Sequence, residues 1–380
     1  MKILIVTETF YPSINGTVTR LVEAIRYLKK AGHDVTVITA AGRSGIFEGA
    51  DIVSLGRYDI PLWRAVRWKR MALPLRRLIY ELEPDVVHVV NASLLGACGA
   101  LMVKQLGIPL VMSHHFDIDK WLKKHRLNLK VLGRLYWRVI RRLHNLANIN
   151  LATSVKWRDV LRSHGIERVA CLKVGVSTSH FHPRHADETM RRQLTGGHEE
   201  GLLFLFVGKV EKEKQIDRLE SLLQRAPDIH LAVIGDGPYL RHLRKLLPSD
   251  QVVFTGQLSG EILAQAYASA DALVYPSDKA DLALVILEGM ASGLPVLAQD
   301  TPTMRLQIKD GETGYLVSFT DTDDLMEKIN GLRDASRLKT MSVAARHYAE
   351  GYSWTVSSQQ LLDYYHLAIA HRRKEAFTGS

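Results

Sequence analysis

Two lysines, one glutamate and one histidine carry most of the chemistry legible in this chain of 380 residues. Lys209 and Lys214 lie in Gly208-Lys209-Val210-Glu211-Lys212-Glu213-Lys214, directly after the apolar run GLLFLFV. Two ammonium groups at that spacing suit a diphosphate. A solvated charge run is the alternative. Glu288 stands among apolar and small residues in LVILEGMASGLPV. A carboxylate is costly to bury there without partners. It suits a bidentate acceptor for a ribose diol, or a helix-start residue favoured by the dipole. His114 and His115 follow PLVMS, at the carboxyl end of an expected strand. The pair, His115 in particular, suits a general acid or a group that orients substrate; a structural role is the commoner alternative, and no third ligand at suitable spacing supports zinc.

Gly16, in the loop TETFYPSINGT, would let the backbone approach an anion at the start of the next helix, with an ordinary tight turn as the alternative. The G-x-G-x-x-G spacing of a dinucleotide fold is missing from that loop. Gly235 and Asp236, in Gly235-Asp236-Gly237-Pro238, end another strand as a turn and mark the rim of the expected site. Asp117-Ile118-Asp119 and Asp321-Thr322-Asp323 match a D-x-D metal pattern. Matches of three residues arise easily by chance, and neither is assigned a metal.

Two stretches interleave cations with Trp, Leu and Val. One spans 61–78, with Trp63, Arg67, Trp68, Lys69 and Arg70; the other spans 120–142, with Trp121, Lys123 and Lys124. That composition suits helices lying in an anionic bilayer interface. A nucleic-acid patch is the rival and is not expected; solvated basic faces are the plain alternative.

The elements that must position these residues follow an alternating rhythm. Strands are expected at 2–6, 33–40, 85–90, 109–113 and 148–154, with helices between several of them. The rhythm restarts at 201–210 and continues through strands at 230–235, 252–256, 271–276 and 295–298. Such alternation means right-handed parallel crossovers and an open α/β sheet. The chain therefore reads as two Rossmann-like domains, 1–180 and 181–354, facing each other across a cleft, with the polar stretch 184–201 as linker. The last helix, 355–380, is expected to pack back onto the first domain. Ligands of such sheets sit at the carboxyl ends of the strands.

Composition agrees. Hydrophobic residues make up 46% and charged residues 24%, with a mean hydropathy of −0.05, as in a globular chain. Cys98 and Cys171 are too few for a disulfide framework and fit a reducing cytoplasm. The short apolar start and the lack of any run of about 20 apolar residues argue against a signal peptide and a membrane span. The net charge of +10 divides into +15 over 1–180 and −5 over 181–380. A basic and a mildly acidic half point to different partners.

Together, and in this order, TETFYPSINGTVTRL, GVSTSHFHP, GKVEKEKQID, GDGP, FTG and LVILEGMASGLPVLA resemble the retaining family-four glycosyltransferases of the GT-B fold. Within that family the likeness is to sulfoquinovosyldiacylglycerol synthases and related glycolipid synthases. The resemblance implies a UDP-sugar donor, a diacylglycerol-type lipid acceptor and no metal or other cofactor. It also implies a cytoplasmic protein held on the inner face of a membrane. It places Gly16 near the donor phosphates, His115 near the reacting sugar, Lys209 and Lys214 on the diphosphate and Glu288 on the ribose. The chain departs from the family pattern on the sugar side. Ala280 replaces the first of two paired glutamates, with Asp281 beside it, and Asp300-Thr301-Pro302-Thr303 replaces a Gly-Gly pair. A nucleotide-binding protein of weak catalytic power, or a transferase with a soluble acceptor, is the alternative.

Overall fold

The computed structural model describes residues 1–12, 16–40, 43–56, 64–115, 129–198, 200–278 and 284–378; within 64–71, 129–132 and 375–378 only the helical backbone is described. The chain forms two units. One comprises Met1–Gly175 together with Trp354–Ser380, the other Val176–Ser353. The chain thus leaves the first unit a few residues before the expected position 180 and re-enters it at Trp354.

The first unit is built on eight strands: β1 (Lys2–Thr7), β2 (Asp34–Thr39), β3 (Gly45–Phe47), β4 (Ala50–Ser54), β5 (Val86–Val90), β6 (Leu110–His114), β7 (Ile149–Ala152) and β8 (Val169–Cys171). Their order is β3-β4-β2-β1-β5-β6-β7-β8, parallel except for the β3–β4 pair. β1 lies between β2 and β5, with Lys2 opposite Asp34 and Ile3 opposite Val86. Its side chains alternate between two cores, which is why the run is apolar throughout. Ile3, Ile5, Val86 and Val90 face the helix Gly16–Lys30 and Leu361 and Tyr365 of the terminal helix Trp354–Thr378. Leu4, Val6, Val87 and Val89 face the helices Arg64–Leu82 and Leu94–Leu106. Ser93 caps the latter by accepting from Gly96 N, and Gly107, at φ 73°, ends it.

The second unit has six parallel strands: β9 (Leu202–Val207), β10 (Ile229–Ile234), β11 (Val252–Gly256), β12 (Ala272–Tyr275), β13 (Val296–Gln299) and β14 (Gly314–Val317). The order β11-β10-β9-β12-β13-β14 is the dinucleotide-fold order, and it reverses between β9 and β12. In the first unit the reversal lies between β1 and β5.

The polar stretch 184–201 is not a linker. It lies inside the second unit and forms the helix Glu188–Leu194, capped by Asp187, which accepts from Met190 N. Arg191 pairs with Asp271 at 2.8 Å and donates to Ser269 O and Gly201 O. Two of the stretch's charges, Asp187 and Arg191, are engaged in a cap and a tertiary pair rather than left to solvent.

Candidate functional site

In the second unit the loop that carries Lys209 and Lys214 follows β9, where the strand order reverses, and meets the carboxyl end of β12. Lys209 is exposed just beyond β9. Lys214 ends the 3₁₀ turn Lys212–Lys214, donates to the Tyr275 hydroxyl at 3.0 Å, and sits 5.3 Å from the centre of that ring. Tyr275 is the last residue of β12, so the two loops are fastened to each other. Ser277 Oγ donates to Glu213 O, Gln215 Nε2 donates to Asp278 Oδ2, and Asp278 N donates to Gln215 Oε1. Gln215 holds φ 55°, a strained backbone for a residue with a side chain, beside the cation. Arg218 donates to Gln299 Oε1 at the end of β13. A rigid cation thus stands at the switch point, where a fold of this kind receives nucleotides.

Glu288 belongs to the helix Leu284–Ala291, which follows β12. Its Oε2 accepts from the Tyr267 hydroxyl at 2.9 Å. Burial pushes the carboxyl above its usual range, and the tyrosine's donation partly offsets this. The Tyr267 phenol, itself buried beside that carboxylate, is held well above its usual value. Glu288 is therefore oriented by a specific donor at Oε2.

Gly235 and Gly237 serve a second purpose. A Cβ at Gly235 would stand 1.9 Å from Gly208 O, and one at Gly237 would stand 2.3 Å from Val210 O. Val210 N donates to Asp236 O and Gly208 N to Ile234 O, so the loops after β9 and β10 lie back to back. Both glycines permit that approach, and the Asp236 side chain is exposed, with Oδ1 accepting from Gly237 N. The segment in place of the Gly-Gly pair is closed by its own ion pair, Arg305 gripping both Asp300 oxygens at 2.7 and 2.6 Å. Asp321 caps the helix Thr322–Arg333 by accepting from Asp323 N and Asp324 N, which accounts for the second D-x-D match.

In the first unit Gly16 opens its helix, exposed, and a Cβ there would meet none of the described atoms within 4 Å. His115 follows β6. Its backbone N–H donates to Asn91 Oδ1 at 2.7 Å, and Asn91 lies at φ 66° just after β5. His114 does not join it: it packs among Trp137, His144 and Trp157 on the other face of the sheet. A buried run leads to His115 instead. Tyr365 OH lies 2.9 Å from His88 Nδ1, His88 Nε2 lies 3.0 Å from Ser113 Oγ, and Ser113 Oγ lies 3.1 Å from His115 Nε2. Tyr365 is fully buried, and a buried hydroxyl hydrogen without an acceptor is costly. Only one direction gives the Tyr365 hydroxyl an acceptor within the run. Tyr365 donates to His88, His88 to Ser113, and Ser113 to His115 Nε2, so the His115 proton sits on Nδ1. Burial, reinforced by the Arg20 charge, lowers His88 to about 3 and holds His115 well below the ordinary imidazole value. Both rings are neutral.

Several expected residues lie outside the described parts: Ala280, Asp281, Trp63, Trp121, Lys123 and Lys124. Arg67, Trp68, Lys69 and Arg70 fall in the helix Arg64–Leu82, where their side chains are not described. Sequence reasoning missed Tyr275, Tyr267, Gln215, Asn91, Ser113, His88 and Tyr365. His88 alone left a trace, a histidine inside the apolar strand DVVHVV, where a buried polar ring requires partners.

Comparison with known proteins agrees with this layout. The family model described as Glycosyltransferase Family 4 matches residues 14–180, and the one described as Glycosyl transferases group 1 matches 188–347. The chain is 32% identical to the sulfoquinovosyl transferase SQD2 of Arabidopsis thaliana, over 98% of this chain and 74% of that one. It is 30% identical to a GDP-mannose-dependent alpha-mannosyltransferase of Corynebacterium glutamicum, over 100% of this chain and 92% of the other. Among solved structures, Anabaena Alr3699/HepE in complex with UDP superposes with a TM-score of 0.73 at 18% identity, covering 96% of this chain and 98% of that chain. The last likeness speaks for the fold. With two Rossmann-like units, each matched by its own family model, the chain belongs to the family-four glycosyltransferases of the GT-B fold.

Proposed function

We propose that this glycosyltransferase moves a hexosyl group from a UDP-sugar to a diacylglycerol-type lipid at an anionic membrane surface, with retention of configuration and without a metal. The observation that carries the donor half is Lys214, locked on Tyr275 at the switch point of the second sheet. A nucleoside diphosphate gains charge as the glycosidic bond breaks, and a cation held in advance stabilises it without reorganisation. Lys209 adds a second charge from the same loop. Glu288, oriented by Tyr267, accepts from the ribose hydroxyls. His115, neutral with its proton on Nδ1, donates to a hydroxyl of the reacting sugar.

The acceptor half is supported by two helices with exposed apolar residues set among arginines. In Leu129–His144, Leu135 is 55% and Val139 48% exposed, between Arg134, Arg138 and Arg142. In Arg64–Leu82, Leu73 and Tyr80 are exposed beside Arg76 and Arg77. Such faces suit the headgroup region of an anionic bilayer. Among the described residues no helix is long and apolar enough to cross a membrane.

The UDP bound by the Anabaena structure, which shares this fold, is in keeping with uridine as the base. The GDP-mannose-dependent relatives make GDP-mannose the competitor. The test is calorimetric titration with UDP, GDP, a panel of UDP-sugars and GDP-mannose, each followed by product analysis with diacylglycerol vesicles. One UDP-sugar bound more tightly than UDP, with glycolipid formed, is the expected result. Preference for GDP-mannose overturns the donor. UDP binding without product marks a nucleotide-binding protein that does not turn over.

A further inference from the structure

Arg20, one turn into the helix Gly16–Lys30, carries a charge that none of the described residues balances. Its guanidinium is buried and its Nη1 has no hydrogen-bond partner. A guanidinium offers five donors and keeps its charge at any ordinary pH. Buried charges are otherwise paired or hydrogen-bonded. The ionisable groups that feel Arg20 are His88, His115 and Cys171. Both histidines are neutral, and burial raises the Cys171 thiol above its usual range, so it is neutral too. Among the described residues no carboxylate pairs with Arg20. The uncompensated donor therefore lies within electrostatic reach of His88 in β5, of His115 just after β6 and of Cys171 at the end of β8.

We propose that Arg20 is a substrate-recognition residue that receives an oxyanion, either on the transferred sugar or on the acceptor. This rests on the reading that His115 marks the reacting end of the first unit. An oxyanion supplies both the missing charge and the missing acceptor, and a planar fork suits the two oxygens of a phosphate, sulfonate or carboxylate. A neutral substrate would leave the guanidinium as it stands. The site thereby favours anionic substrates over neutral analogues of the same shape, because it penalises an unpaired polar group.

Two matched pairs of probes test this on the full chain by titration. UDP-glucuronate against UDP-glucose places the anion on the sugar; glycerol 3-phosphate against glycerol places it on the acceptor. The expected result is a preference of roughly tenfold or more for the anionic member of one pair, the scale of a charged hydrogen bond. Arg20→Met should erase that preference while leaving UDP affinity unchanged. The pair that shows the preference identifies the source of the oxyanion. Equal binding within both pairs, or a preference that survives in Arg20→Met, overturns the proposal. If Arg20→Met fails to fold, Arg20→Lys keeps the charge without the fork and should weaken the preference; an unchanged preference in that variant counts equally against the proposal. Absence of UDP binding would sink the donor reading alone, because the glycerol pair still reports on Arg20.

Discussion

The Tyr365 hydroxyl lies 2.9 Å from His88 Nδ1 although 277 residues separate the two in the chain. The terminal helix returns to the first sheet and supplies the outermost donor of the run that ends on His115. Tyr365→Phe should therefore do two things. Stability should fall by about 1–3 kcal/mol, the cost of an unsatisfied buried partner, as read from denaturant midpoints. The His115 ring nitrogens should shift from a single Nδ1–H form to a mixture, visible in their ¹⁵N chemical shifts. A single unchanged tautomer would count against the assigned direction of the run.

Acid should destabilise the protein in a window set by buried histidines. Burial, with a smaller contribution from Arg20, lowers His88 to about 3, and burial lowers His144 to about 4. His144 has its Nδ1 2.7 Å from Asn150 Oδ1 and a buried Nε2 without a partner. The unfolded rings take up protons near pH 6.5, so below that value the unfolded state binds more protons. Stability then falls with pH, by about 1.4 kcal/mol per unit for each such ring until its folded value is passed. Denaturant midpoints at pH 7, 6 and 5 should show this, and His88→Gln should reduce the slope by about one proton.

Lys214→Ala should cut transfer by about 10²–10³, the usual cost of one fixed donor at a developing charge, and weaken UDP binding. Tyr275→Phe keeps the ring under the cation and removes only the hydroxyl, so it should cost less. Equal losses would mean that the tyrosine, rather than the lysine, holds the donor. Steady-state rates and UDP titrations of both variants decide this.

Tyr267→Phe leaves Glu288 buried without its donor. The tyrosine's hydrogen bond lowers the Glu288 value against the burial that raises it, so its loss should raise that value further. UDP affinity, if it depends on ionised Glu288, strengthens as the pH rises through that value. The rising limb should therefore move to higher pH in the variant, as followed by titrations from pH 4.5 to 7.5. A limb that stays in place would separate Glu288 from nucleotide binding.

Leu135→Asp with Val139→Asp should abolish co-sedimentation with anionic vesicles while leaving UDP affinity intact, because both residues are exposed and make no part of the sheet. Binding of the unaltered protein should weaken with salt, as headgroup attraction is screened. Vesicle binding that survives the double substitution would remove this helix from the membrane surface.

Sequence alone determined the two α/β units, their central strands, and the positions of Lys209, Lys214, Glu288 and His115. Buried parallel strands advertise themselves through unbroken apolar runs such as KILIV and LLFLFV, and the loops that follow them are where ligands bind. It did not show β3, β4, β8 or β14, which are three to five residues long and sit at or next to the sheet edges, where periodicity has little length in which to accumulate. Nor did it show that 184–201 holds a capped, ion-paired helix, Glu188–Leu194. What holds each functional group was decided only by tertiary structure. Tyr275 lies 61 residues from Lys214, Tyr267 21 from Glu288, and Tyr365 277 from His88. The partners of a buried polar group are chosen by strand order and helix return, which bring together residues that no local pattern relates. The same holds for Arg20, an ordinary cation in the sequence, which becomes an unbalanced buried charge only in the folded first unit.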